Sequence, residues 1–171
     1  MVSPFDSSIR TFARRLRGIP RQSVEVALPH CALGEVAIAH DLLSAQSVVY
    51  TAAPAAPTPF DIAIMERFGC RLQILQEPWG SIFQQIQRAR QSFGHQHIDL
   101  LRLDMEGAEY DVVRTLPLID LRPTQLVIDF HHHLPPNNIG NTEQALQELH
   151  SIGYRIYARE ATGRNYSLVL M

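Results

Sequence analysis

Between Ile98 and Leu134 the chain reads IDLLRLDMEGAEYDVVRTLPLIDLRPTQLVIDFHHHL, and no other stretch limits the possible folds as much. The apolar run Ile98 to Leu103 predicts a strand that stops at Asp104. Gly107 permits a sharp turn, and Ala108, Val112, Val113 and Leu116 then recur on one face of a short helix that Pro117 closes. A second apolar run, Gln125 to Phe130, ends in Asp129 and three consecutive histidines, His131, His132 and His133. Strand, acidic turn, helix and strand in this order make a βαβ unit. Such a unit requires a parallel sheet and brings polar groups to the carboxyl ends of its strands.

Each polar group there has two readings. Asp104, Glu106 and Glu109 could contact a ligand at the sheet edge. Alternatively, the two glutamates occupy the first helical turn simply because the helix dipole favours carboxylates there. For the glutamates the dipole reading is preferred; for Asp104 both stay open. Asp129 closes a strand expected to be covered on both faces, so its charge must be paired, protonated or turned to a cleft. Strand alternation puts Asp129, His131 and His133 on one side and His132 on the other. An aspartate beside an imidazole suits acid–base work, the carboxylate fixing the ring tautomer. The plain alternative is that the histidines cap the strand and bond the following loop. A metal held by Asp104 or Asp129 with two histidines competes with both. Consecutive histidines on a regular strand cannot all reach one ion, and no cysteine assists, so no metal is expected.

The flanking sequence continues the alternation. Ser47 to Thr51 reads as a buried strand, followed by the loop Ala52 to Pro59, which has three prolines and no glycine. Phe60, Ile64 and Phe68 share a helical stripe from about Pro59 to Gly69. Cys70 to Leu75 is the next strand, and Ile82, Phe83, Ile86, Ala89 and Phe93 mark a helix ended by Gly94. Asn141 with Gln144 is read as a capping box opening another helix, which stops at Gly153. Tyr154 to Arg159 and Tyr166 to Met171 form a closing antiparallel hairpin around Ala161 to Gly163. Upstream, Ser23 to Leu28 reads as a short strand, and Glu35 to Leu43 suits either a helix or a packed lead-in. Residues 1–22 form an Arg-rich lead with Ile9, Phe12, Ala13 and Leu16 at helical spacing, and 23–171 form one domain. The fold class is α/β, a doubly wound and mostly parallel sheet with a C-terminal antiparallel hairpin.

Composition excludes several functions. All 15 basic residues are arginine, which rules out a Schiff-base lysine and a phosphate-loop lysine. A net charge of −2 gives no electrostatic footprint for nucleic acid. No run approaches transmembrane length, and no apolar leader core opens the chain. With Cys31 and Cys70 read as free thiols, a cytoplasmic setting without membrane attachment is expected.

IDLLRLDMEGAEYDVV (98–113) and QLVIDFHHHL (125–134) resemble the FkbM-type methyltransferase-like family of class I S-adenosylmethionine-dependent enzymes. FDIAIMERFGCRLQILQEPWGS (60–81) is similar to a helix and second strand of the same proteins. The resemblance covers more than half the chain. It implies a Rossmann-like methyltransferase sheet with a reversed last strand, S-adenosylmethionine as cofactor, and transfer of a methyl group to an oxygen of a small molecule. His131 or His132 would be the base, with Asp104 and Asp129 beside them. Tyr50, Gln76, Glu77 and Asp104 are the candidate cofactor contacts.

Three departures modify that expectation. The turn that approaches the cofactor is glycine-rich in the family but AAPAAPTP (52–59) here, with prolines removing N–H donors and side-chain carbons filling space. The acidic end of the second strand is replaced by Gln76, and Glu77, one residue on, would face the opposite way. Only 21 residues, Glu77 to His97, separate the second strand from the central unit, enough for a helix but not for the family's third strand. The cofactor site is therefore expected to be degenerate. The second strand would be left as a bare edge, open to self-pairing or a partner subunit. Two rivals to methyl transfer follow: an Asp/His cleft reassigned to acid–base chemistry, and an inactive relic that binds a partner.

Overall fold

The computed structural model describes residues 22–119 and 121–171. The proposed Arg-rich helix before residue 22 lies outside the described residues. Eight strands and four helices follow: β1 (Cys31–Leu33), β2 (Val36–Ile38), β3 (Val48–Ala52), α1 (Pro59–Phe68), β4 (Arg71–Leu75), α2 (Ile82–Phe93), β5 (Leu100–Asp104), α3 (Glu109–Thr115), β6 (Gln125–Asp129), α4 (Ile139–Ser151), β7 (Tyr154–Arg159) and β8 (Asn165–Leu170).

The main sheet has six strands in the order β4-β3-β5-β6-β8-β7. The first four are mutually parallel, while β8 lies antiparallel to both β6 and β7. Between β4 and β5 the chain forms only α2 and a single 3-10 turn at Trp79–Ser81. No strand forms in this segment, and among the described residues β4 pairs with β3 alone. The mixed α/β sheet is thus the one the sequence implies, shortened at the expected place.

Alternation along the central strands sorts side chains between two cores. Tyr50, Leu101, Leu103, Leu126, Ile128 and Phe130 pack beneath α2, α3 and α4. Val49, Leu100 and Val127 point the other way, into a smaller core with Phe60 and Ile64 of α1 and with the β1–β2 hairpin. Helices on both faces make the sheet doubly wound. They also explain why its central strands read as unbroken apolar runs.

Local chemistry sets the helix ends. Thr58 caps α1 in a reciprocal box with Asp61, Pro59 occupies the first turn, and Gly69 ends it in the left-handed region. At α4 the expected cap needs correction. Asn138, not Asn141, is the N-cap, and Asn141 is its partner three residues on. The Asn138 side chain accepts from Gly140 N at 2.9 Å, and Asn141 Oδ1 accepts from Asn138 N at 2.9 Å. Ser23 to Leu28 is likewise not a strand. Glu25 N and Val26 N both donate to the single carbonyl of Ile156, which tethers the segment without a ladder. Of the two alternatives for Glu35 to Leu43 the packed lead-in stands: the segment forms β2 and a 3-10 turn, with Val36, Ile38 and Leu43 buried in the smaller core.

Candidate functional site at the carboxyl ends of β5 and β6

Asp104 and Asp129 end adjacent parallel strands and are direct register partners. Alternation puts both on the face that carries Leu100 and Val127, so two carboxylates stand side by side at the sheet's carboxyl edge. Each is held by an arginine through one oxygen. Arg102 Nη2 donates to Asp104 Oδ2 at 2.7 Å, and Arg164 Nη2 donates to Asp129 Oδ2 at 3.1 Å. Arg102 is itself buried, lies 5.0 Å from the Phe60 ring centroid and donates to Thr58 Oγ1 at 3.3 Å. Asp129 Oδ1 is shut off from solvent and has no hydrogen-bond partner among the described residues.

His131 follows two residues later and joins this pair, with Nε2 lying 3.7 Å from Asp104 Oδ1. Its orientation comes from Glu109, whose side chain is fully buried. One Glu109 oxygen accepts from His131 N at 2.8 Å and faces His131 Nδ1 at 3.3 Å. The other accepts from Gly107 N at 2.8 Å. With Nδ1 turned to a carboxylate, the ring is set with Nε2 toward the two aspartates. The turn before α3 makes this reach possible. Glu106 sits at φ 51° and Gly107 at φ 108°, and a Cβ on Gly107 would lie 2.6 Å from Asn137 Nδ2. Only glycine suits that point.

The electrostatics follow from this packing. Burial works against the Glu109 carboxylate, but hydrogen bonds from the His131 ring and backbone and from Gly107 outweigh it and hold its pKa below the ordinary value. Burial alone would weaken His131 as a base. The Glu109 hydrogen bond and charge, with Asp129 and Asp104, reverse this and raise its pKa. Asp129 is raised, first by burial and further by the like charge of Asp104, against the pull of Arg164 and His131. His132 goes the other way, lowered by burial and by the neighbouring basic groups. Its Nδ1 lies 3.3 Å from Thr142 Oγ1, which in turn is 2.8 Å from the Tyr110 hydroxyl.

Asp104, Asp129 and His131 are therefore brought together, while His132 faces a separate network under α4. Tyr50 is elsewhere: it is fully buried on the α2 side of the sheet, its hydroxyl 3.0 Å from His95 Nδ1. Gln76 and Glu77 are exposed at the end of β4. Sequence reasoning passed over Arg102 and Arg164 and took Glu109 for a dipole-stabilised surface group. A charged residue inside the apolar run Leu100 to Leu103 was the available signal for Arg102, since such a charge requires a partner.

Residues 84–156 match the family model of the Methyltransferase FkbM domain. This bears out the resemblance carried by the central βαβ unit. No curated protein matches the chain. Among solved structures, a protein-(glutamine-N5) methyltransferase (release factor-specific) from Alicyclobacillus acidocaldarius matches with 11% identity and a TM-score of 0.48, over 98% of this chain and 96% of that one. No helix among the described residues is long and apolar enough to cross a membrane.

The family implies S-adenosylmethionine, and the residues around β3 and β4 do not fit it in the usual manner. After β3, Pro54, Pro57 and Pro59 have no N–H to offer. Thr58 N is already committed to Asp61 Oδ2 at 2.6 Å. The buried Arg102 guanidinium occupies the space between Thr58, Phe60 and Asp104. At the end of β4, Gln76 N and O are both taken by the Gln85 amide, at 3.0 Å and 2.6 Å.

Proposed function

We propose, from the match of residues 84–156 to the FkbM methyltransferase domain and from the geometry at its strand ends, that this protein activates a hydroxyl oxygen of a small molecule at Asp104, Asp129 and His131. It does so without seating S-adenosylmethionine as that fold ordinarily does. The observation that carries the proposal is the buried Glu109 carboxylate, spent on fixing one imidazole. A fully buried carboxylate is costly, and a strand end needs only solvent to satisfy it. Setting His131 Nε2 close to Asp104 and Asp129 gives that cost a chemical use. In the chain alone Nε2 is the group placed to take the hydroxyl proton, and Asp104 Oδ1 is placed to balance the imidazolium that results.

A second reading is favoured by the family match. In it the activated oxygen receives a methyl group from S-adenosylmethionine, making the protein an O-methyltransferase. The same three residues would serve the acceptor in both readings, so the two differ only on the donor side of the sheet.

A melting-temperature screen of hydroxy acids, phenols and sugars tests the shared core of the proposal. A ligand at 100 times its dissociation constant adds about 2.7 kcal/mol. At least one compound class is expected to stabilise the natural protein and to lose that effect in His131→Asn and Asp104→Asn. If none does, or if the variants respond as the natural protein does, the site assignment is wrong.

A further inference from the structure

Three donor atoms at this site have no hydrogen-bond partner among the described residues. Arg102 and Arg164 each take Oδ2 of their aspartate, leaving Oδ1 of Asp104 and Oδ1 of Asp129. Glu109 takes the Nδ1 side of His131, leaving Nε2. Nε2 belongs to a side chain only 8% exposed, and the nearest carboxylate oxygen, at 3.7 Å, is beyond hydrogen-bond reach. Asp129 Oδ1 is sealed from water and has no partner among the described residues. One oxygen from each aspartate and one nitrogen of His131 lie within 4.8 Å of one another.

We propose that these three residues bind one divalent cation. Two like charges on neighbouring strands, one of them with a buried unbonded Oδ1, form an arrangement that a cation relieves and that the two arginines, each on Oδ2, do not. The surroundings resemble a built metal site rather than a chance cluster. A carboxylate bound to the far side of a ligating imidazole fixes its tautomer and strengthens the nitrogen as a ligand. Arginines on the far oxygens of ligating carboxylates orient the near ones. Two carboxylate oxygens and one imidazole nitrogen suit a hard or borderline ion such as Mn²⁺, Mg²⁺ or Fe²⁺. Three protein ligands would leave positions open to an oxygen from outside. With the ion seated, His131 is a ligand, and the ion takes over the lowering of the hydroxyl's pKa. The inference stands on these atoms alone and holds whether or not the activated oxygen is methylated.

The test uses Mn²⁺ itself with the full chain. Titration followed by electron paramagnetic resonance should show one bound ion per chain, and pulsed measurements should show coupling to an imidazole nitrogen. Asp129→Asn and His131→Gln should each weaken binding at least tenfold, and Glu160→Gln, a half-buried carboxylate on the β7–β8 turn that bonds Thr162, should not change it. Circular dichroism identifies any variant that fails to fold, and the natural protein's nitrogen coupling then decides alone. An unperturbed Mn²⁺ spectrum at millimolar metal overturns the proposal. So does binding without nitrogen coupling, or equal binding by folded Asp129→Asn and His131→Gln variants. Because this readout needs neither substrate nor turnover, its failure is distinct from failure of the screen above.

Discussion

Replacing Glu109 with alanine is expected to cost about 3–5 kcal/mol of folding stability, the range for removing one partner of a buried ion pair. The loss arises because Gly107 N, His131 N and His131 Nδ1 all end on this one carboxylate, in a place water does not reach. Each donor left unmet costs about 1–3 kcal/mol, and relaxation recovers part of the sum. Glu109→Gln keeps the shape and one acceptor oxygen and should cost less, about 1–3 kcal/mol. Urea denaturation at neutral pH measures both.

The same residue gives an acid-side signature. The folded pKa of Glu109 lies below its ordinary value, so its contribution is complete above about pH 4.3 and is lost as pH falls through the folded pKa. In Glu109→Gln that part of the acid slope should vanish. A variant as stable as the natural protein, with an unchanged slope, would mean that Glu109 is the surface group its first-turn position suggests.

Phe130→Ala should be comparably damaging, at about 3–5 kcal/mol. Phe130 is fully buried, stacked on Tyr110 at 5.4 Å between ring centroids and edge-on to Tyr166 at 5.8 Å. It also links core to chemistry, since it is the residue between Asp129 and His131. With its ring anchored in the α3–α4 core, the neighbours on either side are turned to the opposite face, where the polar cluster stands. Truncation is therefore expected to loosen the cluster as well as the core. Phe130→Leu retains most of the volume and should cost clearly less. Guanidinium melts of the two variants give the comparison, and equal losses would show that ring packing is not what holds this strand end.

The fold was largely legible because its signals are local. Apolar runs bounded by Gly69, Gly94 and Pro117 marked the elements, and the short stretch of 21 residues from Glu77 to His97 announced the missing strand. The errors fell where a local pattern had a close competitor. Asn141 resembles a cap, but Asn138 three residues earlier is better placed, with Asn141 as its reciprocal partner. The weak alternation of Ser23 to Leu28 produced one carbonyl tether and no ladder.

The site was half legible. Two aspartates at successive strand ends, with a histidine two residues on, can be read from strand register alone. The role of Glu109 cannot. A glutamate in a first helical turn is ordinarily solvated, and only the left-handed turn at Glu106 and Gly107 carries this one inward beneath the end of β6. Arg164 depends on β8 inserting between β6 and β7, a long-range pairing that no nearby residue signals.

Prolines, a capped helix end and the Arg102 guanidinium fill the turn after β3, on the side of the sheet where a methyl donor would sit. Calorimetric titration with S-adenosylmethionine and with S-adenosylhomocysteine tests this most directly. No binding heat and no rise in melting temperature are expected at millimolar ligand. Micromolar binding of either compound, abolished by bulky substitutions at Ala53 or Ala55, would contradict the account and restore methyl transfer as the function of this site.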